Sequence, residues 1–244
     1  DGDSPEMYQC SIRVFDTPHL TAAAAGDAFM EGVSDFGSRL AGLAAGRTMH
    51  PIYDHLVLAE TRSSGLFSET AFAQLDEVLS KDRGEASFAD EIDRYLLSRL
   101  SGGYRTFLAI DGQATQPDLE AKRHRTALLE SGGLGVQLLG IGVNGHVGFN
   151  EPGCHPDSQC RVTALAESTL ERNGYHSGTR AITLGIAEIM SAQRIIIVAT
   201  GAAKSSAITA MIEGPQSADC PASLLRAHAD IKLFLDRAAA KDLS

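Results

Sequence analysis

The segment NGHVGFNEPG, residues 144–153, places a histidine and a carboxylate close together in a stretch rich in glycine. His146 and Glu151 lie five residues apart. Because imidazole titrates near neutral pH, and a carboxylate within hydrogen-bond reach fixes its tautomer and raises its basicity, the pair suits proton transfer. Asn144 is expected to orient the same ring from its other side. The segment therefore predicts an acid–base group.

Two other interpretations of this histidine stay open at this point. A metal site would use His146 and Glu151 with His155 as a third ligand, although the set lacks thiolates and an i, i+4 helical pair. A structural histidine would simply hydrogen-bond to the nearest backbone carbonyl. We expect neither a metal nor another cofactor.

Further reactive residues follow other predicted strands. Asp76 comes directly after the segment TAFAQL and is predicted to act as a base in the same crevice. The alternative is that Asp76 caps a helix. Lys204 follows RIIIVAT near a helix start, where a cation and the helix N-terminus together favour a phosphate. Gly46 and Thr48 are predicted to offer a backbone N–H and a hydroxyl to that anion.

Gly140, Gly142 and Gly145 have the G-x-G-x-x-G spacing of dinucleotide-binding loops. That motif requires a helix that begins at the third glycine, so that its N–H groups face a pyrophosphate. The glycine and proline residues in 148–153 follow too closely for such a helix. The sequence therefore argues against a dinucleotide.

The composition is that of an acidic globular protein. The chain has 244 residues, 43% of them apolar, and a net charge of −10, which suits one domain over residues 1–244. Residues 1–9 are expected to be a frayed or disordered end or a cloning remnant. The sequence shows neither a basic stripe for nucleic acid nor an apolar run that would span a membrane. Four dispersed cysteines predict free thiols and a cytoplasmic protein.

Apolar segments alternate with helix-patterned ones along the whole chain, which is typical of βαβ units. Strands are predicted at 11–15, 38–44, 70–75, 105–110, 135–141, 180–185, 194–200 and 231–236. Helices are predicted at 21–36, 51–60, 88–100, 118–131, 186–190 and 203–213. The fold class is therefore α/β, with a single open, mostly parallel, Rossmann-like sheet and helices on both faces. Ligands bind beyond the carboxyl ends of such strands, so the loops 44–48, 75–77, 142–153 and 200–204 are expected to share one rim.

The loop LLGIGVNGHVGFNEPG, residues 138–153, closely resembles the signature of the glucosamine-6-phosphate deaminase (isomerase) family, G-[IV]-G-x-[DN]-G-H-[IVL]-[AG]-[FL]-N-E-P. FAQLDEVL, AITLGI, VATGAAKSSAI and CPASLLRAH resemble further family motifs, and the likeness covers residues 38–236. Related 6-phosphogluconolactonases usually continue the G-H with T-A-S-L-F-P, whereas this chain has VGFNEP. The region around Thr179 looks most like the galactosamine-6-phosphate branch.

The resemblance implies a sugar-phosphate isomerase type of fold and a role for each matching residue. Asp76 would move a proton between carbons 1 and 2 of the opened sugar, and His146 would assist ring opening with Glu151 as its partner. Asn144 stands where many relatives have aspartate, so its support would lack a charge. Lys204 would bind the phosphate. The product would be a ketose 6-phosphate with ammonia, without a cofactor, and relatives are often homo-oligomers.

The phosphate loop departs from the family pattern [TS]-G-[GSA]-T-P, because this chain reads AGRTM at 45–49. Arg47 brings a guanidinium that either grips the phosphate bidentately or fills its space. A second phosphate-binding cation would be Arg161, Arg172 or Arg180. Three hypotheses follow: an amino-sugar-phosphate deaminase, an enzyme of the same fold acting on another sugar phosphate or a lactone, and a sugar-phosphate-binding protein without turnover.

Overall fold

The computed structural model of the protein describes residues 10–79 and 87–244, so the frayed end predicted for residues 1–9 lies outside the described residues. The strands are β1 (Cys10–Phe15), β2 (Leu40–Leu43), β3 (Ala71–Gln74), β4 (Asp76–Val78), β5 (Thr106–Leu108), β6 (Leu134–Gly140), β7 (Arg161–Ala164), β8 (Arg180–Thr183), β9 (Arg194–Ala199) and β10 (Ile231–Asp236). The α-helices are α1 (Pro18–Asp35), α2 (His50–Arg62), α3 (Phe88–Tyr95), α4 (Pro117–Glu130), α5 (Glu167–Asn173), α6 (Ile186–Met190), α7 (Ser205–Ile212) and α8 (Pro221–Leu224). Short 3₁₀ turns cover Leu97–Arg99, Ala202–Lys204 and Leu225–Ala227.

Seven strands form one parallel sheet in the order β1-β10-β9-β6-β2-β3-β5. All six residues of β9 are buried, which requires cover on both faces of the sheet. The predicted α/β fold with an open, mostly parallel sheet is confirmed. Each predicted strand and helix exists with shifts at its ends, but the helix predicted at 88–100 ends as α3 at Tyr95 and is followed by the 3₁₀ turn Leu97–Arg99.

A second, antiparallel sheet of three strands has the order β4-β8-β7. The strand predicted at 180–185 therefore lies in this sheet and not in the main one. Leu75 joins the two sheets, because its N–H donates to Leu43 O at 3.0 Å and its carbonyl accepts from Leu184 N at 2.9 Å. The sequence did not predict β4, β7, α5 or α8, since segments this short and polar have too few residues to show a hydrophobic period.

Local sequence explains where the long helices begin. Thr17 caps α1 by accepting Leu20 N at 3.2 Å. Proline, whose missing N–H is not needed in a first turn, opens four helices at Pro18, Pro51, Pro117 and Pro221. Among the helices that the structure describes, none is both long enough and apolar enough to cross a membrane.

The direction of chain winding reverses between β2 and β6. From β2 the chain adds β3 and β5 on one side, then returns to β6 next to β2 and continues with β9 and β10 on the other side. The loops that leave neighbouring strands at such a point diverge and open a crevice at the carboxyl ends. Here these loops are residues 44–49 and 141–150.

Gly185 provides a test of how the small sheet is fastened to the rest of the fold. A Cβ at this residue would lie 1.9 Å from Ser158 O, a backbone atom that cannot turn aside. We expect Gly185→Ala to lower the free energy of unfolding by about 3 kcal/mol or more, measured by urea titration. The control is Gly37→Ala, whose Cβ would meet Val33 O only at 3.2 Å and should cost less than about 1 kcal/mol. Equal losses in the two variants would contradict this packing.

Candidate active site

A cavity of about 360 Å³ lies at the reversal point between β2 and β6. The structure brings six of the eight predicted site residues to its wall: Gly46, Arg47, Thr48, Asp76, His146 and Lys204. The other two, Asn144 and Glu151, lie behind the His146 ring. Residues from the segments that follow β2, β3, β6 and β9 thus meet in one place.

The glycines of the loop after β6 allow close packing around the reactive side chains. A Cβ on Gly142 would lie 2.3 Å from the His146 ring. One on Gly148 would lie 2.8 Å from Thr183 Oγ1 and 3.5 Å from Asp76 Oδ2, and Gly148 has φ +56°. No helix begins within residues 141–150, in agreement with the argument against a dinucleotide. These glycines serve the histidine and the aspartate.

The His146 ring is held through a single nitrogen. Nδ1 lies 2.8 Å from Asn144 Oδ1 and 3.3 Å from Glu151 Oε2. Asn144 Nδ2 donates to Glu151 Oε2 at 2.8 Å, which orients the amide so that its oxygen accepts from the ring. The expectation that Asn144 holds the ring from its other side is therefore wrong, because the amide bridges histidine and carboxylate. Nε2 is left as the ring nitrogen for a ligand.

Glu151 is a buried carboxylate whose surroundings favour its charged form. Burial alone raises the pKa of Glu151, but the hydrogen bond and charge of His146, with hydrogen bonds from Thr169 and Asn144, outweigh burial and lower it to about 2. Thr169 Oγ1, on α5, donates to Glu151 Oε1 at 2.5 Å.

Asp76 has the opposite environment. Burial, followed by the charges of Glu77 and Glu91, raises the pKa of Asp76 to about 8. Side chains alternate along β4, so Asp76 lines the cavity while Glu77 accepts the N–H groups of Phe88 and Ala89, each at 3.0 Å. A carboxyl group with a pKa near 8 can both take up and return a proton near neutral pH.

Arg47, Arg172 and Lys204 line the cavity near the N-termini of α2 and α7. Burial, followed by the charges of Arg172 and Arg47, lowers the pKa of Lys204 to about 8. Lys204 Nζ donates to Ile141 O at 2.5 Å. Within the described residues no side chain caps the starts of α2 and α7, which begin shortly after Arg47 and Lys204. Cations next to uncapped helix starts form an environment for an anion such as phosphate.

The structure separates the three arginines that the sequence left open as a second cation. Arg172 lines the cavity. Arg161 instead donates to Asn150 Oδ1 at 2.9 Å, and the side chain of Arg180 is exposed on β8 and absent from the cavity wall. Arg172 is the candidate that the geometry supports.

Gly46 reaches the cavity, but its N–H does not serve the predicted purpose in this conformation. The N–H donates to Glu91 Oε1 at 2.8 Å, and the residue has φ +111°. Gly46 thus lines the cavity, but the N–H that was predicted to face the phosphate donates to a carboxylate from α3. Arg47 and Thr48 remain as the predicted donors of this loop.

A larger cleft of about 730 Å³ lies on the other side of Glu151 and is lined by residues within 151–164. It contains His155, which is absent from the wall of the smaller cavity. In the part of the chain that the structure describes, no group of three His, Cys, Asp or Glu side chains is placed to hold a metal ion. The alternative metal set of His146, Glu151 and His155 has no geometric support.

Sequence reasoning missed Glu91, which accepts the Gly46 N–H, and Thr169, which donates to Glu151. It also missed His50, whose ring contacts the Glu91 carboxylate. Thr169 lies in a polar seven-residue helix, and Glu91 follows a predicted helix start with no motif of its own. Their only signal is contact across the fold.

Comparisons with known proteins agree with this geometry. The family described as glucosamine-6-phosphate isomerases/6-phosphogluconolactonase matches residues 19–234. A glucosamine-6-phosphate deaminase of Streptomyces coelicolor is 36% identical over 236 residues, which cover 91% of this chain and 90% of that protein. The solved structure of a monomeric glucosamine-6-phosphate deaminase has a TM-score of 0.86 and 28% identity, with 95% of this chain and 99% of that chain covered.

A 6-phosphogluconolactonase from Trypanosoma brucei has a TM-score of 0.75 with 21% identity, covering 97% of this chain and 99% of that chain, which shows a shared fold alone. A parallel α/β sheet with acid–base groups and cations at its reversal point defines an enzyme-like site for a small anion. The chain belongs to the family of glucosamine-6-phosphate isomerases and 6-phosphogluconolactonases. The family resemblance drawn from its motifs is confirmed, while the homo-oligomer and the cytoplasmic location stay predictions.

Asp76→Asn tests the environment of the buried carboxyl group without any substrate. Because the folded pKa of Asp76 is about 8 and an unfolded aspartate titrates near 3.9, the native protein loses stability relative to the variant as pH rises from about 4 to 8. We expect the variant to melt about 3 °C or more above the native protein at pH 8, with the difference disappearing towards pH 4. Asp93→Asn, which removes an exposed carboxylate from α3, is the control and should show no such trend. A melting difference that is independent of pH would count against the raised pKa.

Proposed function

We propose that the protein isomerises and deaminates an amino-sugar 6-phosphate, with glucosamine 6-phosphate as substrate, and releases a ketose 6-phosphate and ammonia. The observation that supports this function is that Asp76, His146 and the cation Lys204 line one cavity. The family to which the protein belongs and its S. coelicolor relative indicate the same class of substrate.

His146 would open the sugar ring. With Nδ1 bound to Asn144 and Glu151, protonated His146 can donate from Nε2 to the ring oxygen as the bond from that oxygen to carbon 1 breaks. The hydroxyl proton of carbon 1 passes to a water molecule as the aldehyde forms. The low pKa of Glu151 keeps its charge in place during this step.

Asp76 would then move a proton between neighbouring carbons. Its carboxylate removes the proton from carbon 2 while oxygen 1 takes back the proton that water received during ring opening, giving an enol-amine. Asp76 then returns its proton to carbon 1, giving an iminium at carbon 2. Water adds to carbon 2 and ammonia leaves, so that substrate and water balance ketose phosphate and ammonia. A site that only binds sugar phosphates would need no base directed at the carbon chain, which disfavours the hypothesis of a protein without turnover.

The phosphate would bind among Arg47, Thr48, Arg172 and Lys204. A phosphate dianion returns to Lys204 the stabilisation of its charged form that burial removes. The guanidinium of Arg47 would bind the phosphate and supply hydrogen-bond donors that the loop otherwise lacks. The guanidinium of Arg172 would contact the phosphate from α5. The same helix carries Thr169, which donates to Glu151.

Galactosamine 6-phosphate is the second candidate substrate. The likeness of the region around Thr179 to that branch favours it, whereas the S. coelicolor relative is a glucosamine-6-phosphate deaminase. Lactone hydrolysis has less support, because VGFNEP follows the G-H of the loop where the lactonases usually have another sequence.

The deciding experiment is ammonia release by the purified protein with glucosamine 6-phosphate and galactosamine 6-phosphate in separate reactions, with ketose phosphate measured in parallel. We expect turnover with glucosamine 6-phosphate, and a loss of about 10² to 10⁴ in kcat for His146→Ala and for Asp76→Asn. Circular dichroism confirms that each variant is folded. Native rates in either variant would remove the mechanism, and no ammonia from either sugar would remove the function.

Arg172 and Arg180 form a matched pair for the phosphate site, since the structure places one at the cavity and the other outside it. We expect Arg172→Ala to raise KM for the sugar phosphate about tenfold or more, because a charge-assisted contact is lost, and Arg180→Ala to leave KM unchanged. Initial rates of ammonia release give both values. Equal KM values for the two variants would exclude Arg172 as the second cation.

A further inference from the structure

Glu91 connects the phosphate loop to the candidate base. Its Oε1 accepts the Gly46 N–H at 2.8 Å and lies 2.7 Å from His50 Nε2. The His50 ring stacks on Tyr95, with 3.6 Å between ring centroids and 8° between planes. One half-buried carboxylate thus fixes both the loop 44–49 and the first residue of α2.

The position of Glu91 follows from the strand that carries Asp76. Glu77, the next residue along β4, accepts the N–H groups of Phe88 and Ala89 and so anchors the start of α3. Glu91 lies one turn further along this helix, on the side that reaches Gly46. The base and the phosphate loop are therefore connected through adjacent residues of β4 and one helix turn.

The charge of Glu91 also acts on the base. It is one of the groups that raise the pKa of Asp76, after burial and Glu77. The other titratable or charged groups at Asp76 and its cavity come from several elements and are Tyr53, Arg47, His146, Arg172, Tyr175 and Lys204. Tyr53 also contacts the phosphate loop, because its hydroxyl donates to Ala44 O, whereas the Glu91 carboxylate accepts the Gly46 N–H at 2.8 Å.

We propose that Glu91 is a positioning residue for the deamination reaction: its carboxylate anchors the phosphate loop through the Gly46 N–H and holds a negative charge near Asp76. This inference rests on the proposed function. It also explains the departure of AGRTM from the family pattern, because a loop whose glycine N–H is committed to Glu91 needs another donor, and Arg47 provides one.

Two substitutions separate the hydrogen bond from the charge. Glu91→Gln keeps an oxygen that can accept the Gly46 N–H but removes the charge. Glu91→Asp keeps the charge but is one methylene shorter and cannot reach the N–H from the same backbone position. Asp93→Asn removes an exposed carboxylate from the same helix and is the control.

The first measurement is binding of inorganic phosphate by calorimetry, which needs no turnover. We expect Glu91→Asp to weaken phosphate binding about three- to tenfold, because the loop loses its anchor, while Glu91→Gln and Asp93→Asn bind at least as tightly as the native protein. Equal weakening in Glu91→Gln and Glu91→Asp would overturn the anchoring role.

The second measurement is the titration of the Asp76 carboxyl carbon by NMR, together with the acid limb of kcat/KM for ammonia release. We expect Glu91→Gln to move both to lower pH by about half a unit, and Glu91→Asp and Asp93→Asn to leave both at their native values. A residue with a purely structural role would change stability without moving this limb. A native titration in Glu91→Gln would overturn the electrostatic role.

Failure of this inference is distinguishable from failure of the proposed function. If the native protein releases no ammonia from either sugar, the deaminase proposal fails while the phosphate titration and the NMR titration still decide the role of Glu91. If the native protein turns over and the Glu91 variants behave like Asp93→Asn, the inference alone fails.

Discussion

The alternation of side chains along the three-residue strand β4 is the constraint on which the site depends. Because neighbouring residues of a strand face opposite sides, Asp76 lines the cavity and Glu77 holds the first N–H groups of α3. The strand is itself fixed by antiparallel pairing of Asp76 with Thr183 and by the close approach of Gly148. A shift of this strand by one residue would turn the Asp76 side chain away from the cavity and the Glu77 side chain away from the start of α3.

Two carboxyl groups of the same site have their pKa values pushed in opposite directions by their surroundings. Asp76, where burial and like charges raise the pKa to about 8, is suited to carry a proton. Glu151, where hydrogen bonds and the charge of His146 outweigh burial and lower the pKa to about 2, is suited to remain an anion. Separation of this kind assigns different roles to chemically similar groups. Asn144 contributes by bridging Glu151 to the ring without a second charge.

The phosphate end combines attraction and restraint. Arg47, Arg172 and Lys204 concentrate positive charge at the cavity, and their mutual repulsion adds to the burial that lowers the pKa of Lys204. A bound anion would relieve both effects, which makes this end of the cavity electrostatically suited to phosphate. The negative charge of Glu91 partly offsets these positive charges, and its carboxylate holds the loop 44–49 through the Gly46 N–H. Because the same charge raises the pKa of Asp76, Glu91 links phosphate affinity to the proton chemistry of the base.

The sequence by itself determined the alternating strands and helices and the positions of polar and glycine-rich loops at strand ends, because hydrophobic period and turn chemistry are local properties. It therefore located Asp76, His146, Arg47 and Lys204 in loops that the parallel topology brings to one rim.

Only the tertiary structure decided which groups touch. The Gly46 N–H bonds to a carboxylate 45 residues away, and Asn144 and Glu151 converge on the same ring nitrogen. Arg172 was selected over two other arginines by the placement of α5. Such contacts depend on how packed elements lie against each other, and that information is not contained in the period or spacing of a single segment.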